Sequence, residues 1–374
     1  MYQECNSVNS MPRHASSEVD KPVAKTSPSD TIFRRAQGFL GPIDSVMRTI
    51  INDHCTDPLR TILHEHLDSG GRRLRGLLVL AAVEIMGGSA DSAIGWAAAC
   101  ELLHNATLVH DDLQDGDEAR RGRPALWFKH GIPHAINAGD LLLIAPVLAV
   151  STLSVGYARK WELIQGFAHY SAKIAAGQAS ELKMTADKVV DVGLYRETVS
   201  LKTGGLFELP VYGAALLAGL QPARAASVSS AFQPLGVLYQ MQDDVLDLYG
   251  NKGRNEPGAD IREGKISALV VQHLRLYPED GQWLLELLRR PRHDTPEHDV
   301  RAVIDRFRSS GALAHVIHDM HHETETARKA AIATDIAGLP ELVDELIALV
   351  MAPVQGIVES CREQPLLDKG AILR

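Results

Sequence analysis

The stretch ELLHNATLVHDDLQD, residues 101–115, is an apolar helical pattern that runs into a cluster of aspartates. A second stretch, YQMQDDVLD at residues 239–247, ends in the same arrangement. In each motif the first and last aspartates are four residues apart, so their carboxylates share one helix face. Like charges at that spacing repel, and joint binding of a hard cation such as magnesium relieves the repulsion. The predicted metal ligands are Asp111, Asp112, Asp115, Asp243, Asp244 and Asp247.

A solvated surface is the alternative interpretation of an acidic cluster at a helix end, and for a single cluster it is the commoner one. Two copies of DDxxD in one chain make coincidence a poor explanation. Both copies also follow strongly apolar stretches, where unpaired carboxylates would be badly placed. Two such helix ends facing each other would hold magnesium between them, and the metal would hold a diphosphate leaving group.

Outside the motifs, helical periodicity dominates the chain, and no run shows the period-two alternation of strands. Breakers containing glycine or proline separate the apolar segments. We therefore expect an all-α protein, a large single-domain bundle over residues 31–374 without a sheet, preceded by a polar, disordered tail at residues 1–30. The clearest apolar helical faces lie at residues 92–109, 161–182, 225–248 and 340–361.

The composition of the 374-residue chain limits its partners and its compartment. Lys plus Arg total 38 and Asp plus Glu total 47, a formal net charge of −9 that disfavours duplex nucleic acid and anionic lipid as partners. The four cysteines form no CxxC pair, which is typical of a reducing compartment. The apolar run LLLIAPVLAV at residues 141–150 is too short for a membrane span, so it indicates a buried core helix. With no apolar signal segment among the first thirty residues, we expect a cytoplasmic protein.

Four short segments supply the cations that an anionic substrate needs. GGRRLRG at residues 70–76 places arginines after a double glycine at a helix start, and ARRGRP at residues 119–124 follows the first motif. SLKTGG at residues 200–205 and DIREGK at residues 260–265 each present a lysine. Singly, such cations are usually solvated. Beside two metal motifs they predict two diphosphate pockets, one bound through metal and one through arginines alone.

His104 lies seven residues before Asp111 and shares its helix face. A lone histidine on an apolar helix is commonly a satisfied core residue, whereas the register with the acidic motif favours a ligand of the substrate. The residues alone leave both interpretations open.

The segments GGRRLRG, ELLHNATLVHDDLQDGDEARRGRP, LKTG and LGVLYQMQDDVLDLYG, in this order and spacing, resemble the trans-isoprenyl diphosphate synthase (polyprenyl synthetase) family. The likeness runs from about Leu67 to Lys265. It implies a helical bundle around a deep central cavity, usually a homodimer. The implied reaction is head-to-tail condensation of isopentenyl diphosphate with an allylic diphosphate (dimethylallyl, geranyl or farnesyl), assisted by three magnesium ions.

The resemblance also implies roles for individual residues. The six aspartates would bind the metal ions and, through them, the allylic diphosphate. The implied contacts to that diphosphate are Arg120, Lys202 and Lys265, the implied contacts to isopentenyl diphosphate are Arg72, Arg75, His104 and Arg121, and the residues beside the allylic cation are Thr203 and Gln240.

The chain departs from the family pattern in places. Arg72 stands where the family usually has lysine, which keeps the charge, and Gly76 stands where it usually has proline, which we expect to loosen the helix start. The segment GNKGRNEPGAD is longer than usual by one residue, so either Lys252 or Arg254 could take the basic role there.

Product length depends on the residues below the first motif. Thr107 and Ala106 lie four and five residues before Asp111, and Leu103 lies eight before. In the family that the chain resembles, small residues at the nearer positions leave the cavity open, so the resemblance implies the twenty-carbon geranylgeranyl diphosphate, with a longer polyprenyl or a farnesyl product as the alternative. A terpene cyclase or an inactive partner subunit fits less well, because the second motif keeps its aspartates and no acidic residue of either motif is lost.

Overall fold

The computed structural model describes residues 36–250 and 257–361 of the chain. The predicted tail at residues 1–30, together with Lys252 and Arg254, lies outside the described residues. The described part is an all-α bundle, as the periodicity predicts. Its helices are α1 (Leu40–His54), α2 (Leu59–Leu67), α3 (Leu74–Ile85), α4 (Ala90–Asp115), α5 (Leu126–His130), α6 (Ile132–Ser151), α7 (Tyr157–Asp187), α8 (Val192–Val199), α9 (Gly205–Leu217), α10 (Pro222–Ser230), α11 (Gln233–Tyr249), α12 (Ala259–Arg262), α13 (Ala268–Leu276), α14 (Gly281–Leu287), α15 (Glu297–Ser309), α16 (Ala312–Ala333), α17 (Leu339–Met351) and α18 (Gln355–Cys361).

Helix α4 lies at the centre of the bundle and carries the first aspartate motif at its C-terminal end. It packs against α3, α6 and α9. Trp96 of α4 is fully buried on α9, where its indole Nε1 donates to the carbonyl of Pro210 at 3.3 Å. A Cβ on Gly213 would lie 2.0 Å from that indole, so only glycine permits this close packing. The alanine-rich start of α4 therefore fixes its position in the core, and its end reaches the cavity.

A two-residue hairpin corrects the expectation that the chain has no strand. Ala119–Arg120 (β1) pairs antiparallel with Arg123–Pro124 (β2) directly after the first motif. Arg121 and Gly122 form the turn with φ of 52° and 75°, the left-handed pair that suits a tight hairpin. Periodicity cannot reveal strands this short. The hairpin turns the arginines back toward the end of α4.

Helix α6 contains the apolar run that the sequence suggested to be a buried core helix, and it is buried on one side only. It is the one helix of the described ranges that is long and apolar enough to cross a membrane. Leu142 and Ala149 are fully buried, whereas Ile136 is 43% exposed and Ile144 is 60% exposed. The expectation of a core helix is therefore right for one face and wrong for the other.

A π-helical turn, Ser200–Gly204, joins α8 to α9 and carries the SLKTGG segment. Glycines allow the neighbouring helices to approach it, because a Cβ on Gly177 would lie 2.4 Å from the amide nitrogen of Lys202, and one on Gly236 would lie 2.5 Å from Gly204. Such π-turns are rare and occur frequently at functional sites. This one presents Lys202 and Thr203 to the cavity.

Candidate active site

A cavity of about 1490 Å³ opens between the C-terminal ends of the two motif helices, α4 and α11. It brings together residues from segments that are far apart in sequence, including most of those predicted above. The predicted residues that line it are Arg72, Arg75, His104, Asp111, Asp115, Arg120, Arg121, Lys202, Thr203, Gln240, Asp243, Asp244 and Lys265. Asp112 and Asp247 do not line it.

The first motif divides between two sides of α4. Asp111 and Asp115 face the cavity, as their four-residue spacing predicts. Asp112 is only 3% exposed and points away, where the Nε of Arg120 donates to its Oδ1 at 2.7 Å and Nη2 lies 2.5 Å from the same oxygen. Burial raises the pKa of Asp112, and Arg120 opposes that rise. The second aspartate therefore orients Arg120 instead of facing the cavity.

Lysines lie beside both cavity-facing carboxylates of the first motif. Lys265 Nζ donates to Asp115 Oδ2 at 2.8 Å. Lys202 Nζ lies 3.8 Å from Asp111 Oδ1 and 2.5 Å from Glu181 Oε2. Burial raises the pKa of Asp111 to about 6, and Lys202 acts in the opposite direction. Sequence reasoning missed Glu181, because no local pattern marks it and only the packing of α7 on the π-turn places it beside Lys202.

The second motif also divides. Asp243 and Asp244 line the cavity, whereas Asp247 does not. Asp244 is buried and accepts three hydrogen bonds, from Gln240 Nε2 at 2.9 Å, the Tyr195 hydroxyl at 2.8 Å and the Ala268 amide at 2.7 Å. Burial nevertheless raises the pKa of Asp244, with Asp260 as a further cause.

Asp247 ties α11 to the segment that follows it. Its Oδ2 accepts from the amide of Asp260 at 3.0 Å, and its backbone carbonyl accepts from the amide of Gly258 at 2.9 Å. With Asp244, it therefore anchors the segment that carries Lys265. The aspartates of the second motif thus take part in the framework as well as the cavity.

Thr203 and Gln240 lie together, as the resemblance implies. The Thr203 hydroxyl donates to Gln240 Oε1 at 3.1 Å, and Gln240 in turn donates to Asp244. This chain of hydrogen bonds fixes the orientation of both side chains at the cavity wall.

Arginines and His104 form a second cationic region of the same cavity. Arg75 lies over the rings of Phe207 and Tyr239, at 5.4 and 5.5 Å from their centroids. Arg121 donates to the carbonyl of Gly70. Burial, with Arg75 nearby, holds the pKa of His104 well below its usual range, so the ring is neutral. Its Nδ1 has no hydrogen-bond partner among the described residues, which supports the ligand interpretation over the satisfied core residue.

The remaining arginine of GGRRLRG has a structural role. Arg73 caps the start of α3 with φ of 51°, and its Nε donates to Asp44 at 2.8 Å. Its side chain is 6% exposed. This pairing leaves Arg72 and Arg75 as the arginines of the segment that are available to a substrate.

The chain that forms this cavity is similar to proteins of one known family. Residues 56–307 match the sequence profile of the family described as polyprenyl synthetase. This chain belongs to that family. It is therefore an isoprenyl diphosphate synthase, an enzyme that transfers prenyl groups.

Individual members of the family resemble this synthase over most of its length. A short chain isoprenyl diphosphate synthase of Methanocaldococcus jannaschii is 32% identical over 255 residues, covering 67% of this chain and 77% of the relative. The crystal structure of a geranylgeranyl pyrophosphate synthetase from Pyrococcus horikoshii has a TM-score of 0.76 at 29% identity, covering 87% of this chain and 98% of the other. A polyprenyl synthase from Caulobacter crescentus, solved with calcium and isoprenyl diphosphate, has a TM-score of 0.76 at 26% identity, covering 88% and 98% of the two chains.

The departure from the family pattern at Gly76 is explained by a hydrogen bond. The Gly76 amide donates to Glu101 Oε1 at 2.9 Å, and both residues are buried. Proline has no amide hydrogen and could not make this contact. In this synthase the glycine therefore ties α3 to α4 at the point where the sequence led us to expect a looser helix start.

The residues below the first motif do not all face the cavity. Thr107 lines it, and its hydroxyl donates to the carbonyl of His104 at 2.8 Å. Ala106 and Leu103 are each 1% exposed and belong to the core away from the cavity lining. Of the three residues considered for product length, Thr107 is the one placed to contact a growing chain.

The donor set fits magnesium bound together with a diphosphate. Among residues 36–250 and 257–361, no group of three or more histidine, cysteine, aspartate or glutamate side chains is placed to hold a metal ion by itself. Magnesium is usually held by one or two carboxylates plus phosphate oxygens, so a protein cage is not required. Asp111, Asp115 and Asp243 line the cavity and would supply the carboxylates, and Lys202 and Lys265 would supply cations for the phosphate.

Proposed function

We propose that this synthase condenses isopentenyl diphosphate with an allylic diphosphate and releases geranylgeranyl diphosphate. The observation that carries the proposal is the presence of two cationic regions in one cavity, one mixed with aspartates and one built from arginines and a neutral histidine. Two diphosphate substrates, one bound through metal and one bound by arginines alone, would account for these two regions. The small Thr107 side chain below the first motif and the name of the Pyrococcus relative support the twenty-carbon product.

The allylic diphosphate would be held at the aspartate region by magnesium ions, three of them as the family resemblance implies. Asp111, Asp115 and Asp243 would make the direct contacts, since they line the cavity, whereas the carboxylate of Asp244, which lines it too, already accepts three hydrogen bonds within the protein. Asp112, Asp244 and Asp247 support them by holding Arg120 and the segment after α11. When bound, magnesium neutralises the charge that builds on the leaving diphosphate.

The protein side chains position the reactants and stabilise charge. Lys202, Lys265 and Arg120 contact the allylic diphosphate, while Arg72, Arg75, Arg121 and His104 hold isopentenyl diphosphate. Thr203 and Gln240 place their oxygens beside the allylic cation. The isopentenyl double bond attacks that cation, and the proton then lost passes to the released diphosphate. No covalent bond to the enzyme forms, so positioning and electrostatics supply the rate enhancement.

The synthase acts in the cytoplasm as a homodimer. The exposed face of α6 is the dimer contact, because it presents a row of apolar side chains and a dimer would remove them from water. Phe128 of α5, which is 53% exposed, extends this surface to the cavity lining. The cysteines of the described ranges are free and buried, in keeping with a reducing compartment. The exposed residues of the row are Ile132, Ile136, Leu143 and Ile144.

Incubation with isopentenyl diphosphate and each of the dimethylallyl, geranyl and farnesyl primers tests the proposal. With magnesium present, product chromatography should show one twenty-carbon peak, and chelation by EDTA should abolish it until magnesium is restored. A longer or a fifteen-carbon product would overturn the assigned chain length while leaving the condensation intact. No elongated product with any primer would overturn the function.

A further inference from the structure

Arg292 reaches the first aspartate motif from the C-terminal third of the chain. It begins a short 3₁₀ turn, Arg292–Asp294, directly after Pro291. Its side chain is 40% exposed and lines the cavity. Nothing in the local sequence marks it, because it lies within a run of cations (LLRRPRHD) typical of a solvated surface.

The guanidinium of Arg292 binds the C-terminal end of α4. Nη1 donates to the carbonyls of Asp115 and Gly116 at 3.4 and 3.2 Å, and Nη2 donates to Asp117 Oδ1 at 3.0 Å. The last carbonyls of a helix have no partner within the helix and carry partial negative charge, so a cation there is favourable. Arg292 thus holds the backbone that carries Asp115.

The same guanidinium also reaches the segment that carries Lys265. Nη1 of Arg292 lies 3.2 Å from Glu263 Oε1, and Lys265 Nζ lies 2.9 Å from Glu263 Oε2. Since Lys265 also donates to Asp115, the contacts close a ring of Asp115, Lys265, Glu263 and Arg292. The ring joins α4, the segment after α11 and the 3₁₀ turn at one edge of the cavity.

Removing the arginine would take away the cation that Glu263 of the ring shares with the neighbouring Asp117. The side chains of Glu263 and Asp117 are only 4% and 8% exposed. Arg292 is within ion-pair distance of both, so it links the end of α4 to the segment of Lys265.

Arg290 provides a contrast on the same segment. Its Nη1 lies 2.6 Å from Asp299 Oδ2, and its side chain is 45% exposed, close to the exposure of Arg292. Arg290 does not line the cavity. An exposed ion pair of this kind contributes little to stability or function.

We infer that Arg292 is a positioning residue for the allylic half of the reaction, which holds Asp115 at a fixed separation from Lys265 so that both engage one metal-bound diphosphate. The inference rests on the proposed function, which places the allylic diphosphate between these two side chains. Isopentenyl diphosphate binds in the arginine region, where Arg292 makes no contact, so its binding should not depend on the ring.

The test compares Arg292→Ala, Arg292→Lys and the matched control Arg290→Ala in the full chain. Arg292→Ala should raise KM for the allylic diphosphate about tenfold and leave KM for isopentenyl diphosphate unchanged, the size of effect seen for supporting residues around metal sites. Arg292→Lys should lie between the wild type and alanine, because an ammonium engages its partners one at a time. Arg290→Ala should match the wild type.

Calorimetry with inorganic pyrophosphate and magnesium gives a readout that does not need turnover. Binding should weaken about tenfold in Arg292→Ala and not in Arg290→Ala, with thermal midpoints of both variants close to that of the wild type. Equal effects on both KM values, or an Arg292→Ala variant that behaves as Arg290→Ala does, would overturn the inference. If Arg292→Ala fails to fold, Arg292→Lys decides. It should raise KM for the allylic diphosphate and not KM for isopentenyl diphosphate, and it should weaken pyrophosphate binding. A wild type that forms no elongated product would instead count against the proposed function.

Discussion

The two aspartate motifs look alike in sequence and differ in what their carboxylates contact. In the first, Asp111 and Asp115 face the cavity and have lysine side chains as neighbours. In the second, Asp244 and Asp247 accept hydrogen bonds from backbone amides that lie 24 and 13 residues further along the chain. A lysine can exchange one partner for another by rotation, whereas a backbone amide is fixed by the fold. The first motif is therefore suited to exchange partners when substrate binds, and most of the second is part of the framework.

The largest expected effect comes from removing cavity-facing carboxylates of both motifs. Asp111→Ala and Asp243→Ala should each lower kcat/KM by about a thousandfold or more, because direct metal contacts supply several kcal/mol of transition-state stabilisation. Steady-state kinetics checks this. Asp344→Ala is the matched control, since that aspartate pairs with Arg328 on the surface. Activity retained in either cavity variant would remove that residue from the metal site.

The next largest effect is a difference in stability between variants of the two motifs. Asp244→Ala should lower the free energy of unfolding by about 3 kcal/mol, because three donors, two of them in buried hydrogen bonds, lose their acceptor. Asp111→Ala should not lower it, since the Lys202 beside it keeps its contact with Glu181. Urea denaturation at pH 8 measures both. An equal loss in the two variants would contradict the division between exchangeable and fixed contacts.

Asp111→Asn should stabilise the protein in a pH-dependent manner. The folded pKa of Asp111, about 6, is above the ordinary value of 3.8, so the folded state takes up a proton more readily than the unfolded one. Burying the charge therefore costs stability above pH 6, and that cost fades between pH 6 and 4 as the carboxyl is protonated. The amide variant should gain about 2 kcal/mol at pH 8 and nothing at pH 4. A gain independent of pH would show that charge is not its cause.

The smallest effect is expected at the last aspartate of the second motif. Asp247→Asn keeps an oxygen that can accept from the Asp260 amide, so kcat/KM should stay within about threefold of the wild type, whereas a direct metal ligand would lose about a thousandfold. Asp247→Ala, which removes the acceptor, should cost about 1 kcal/mol of stability. A large loss of activity in the asparagine variant would place Asp247 in the metal site after all.

Much of the candidate site could be predicted from local pattern. The four-residue spacing correctly placed Asp111 and Asp115 on one face, and His104 two turns earlier on α4 also lines the cavity. That spacing concerns only the first and last aspartates, so it could not tell that Asp112 turns to Arg120 or that Asp244 accepts three hydrogen bonds within the protein. Glu181 and Arg292 could not be found from sequence, since their partners lie 21 to 177 residues away.

The sequence by itself determined the helical class, the position of the two acidic helix ends and the cations near them. These features depend on the 3.6-residue period and on side-chain chemistry, both of which are local. Only the tertiary structure decided that Asp112 turns to Arg120, that Lys265 pairs with Asp115 across 150 residues, and that one side of α6 stays exposed. The rotation of a helix in a bundle and the partner of a buried charge depend on packing between distant segments. That packing has no signature in any single stretch of the chain.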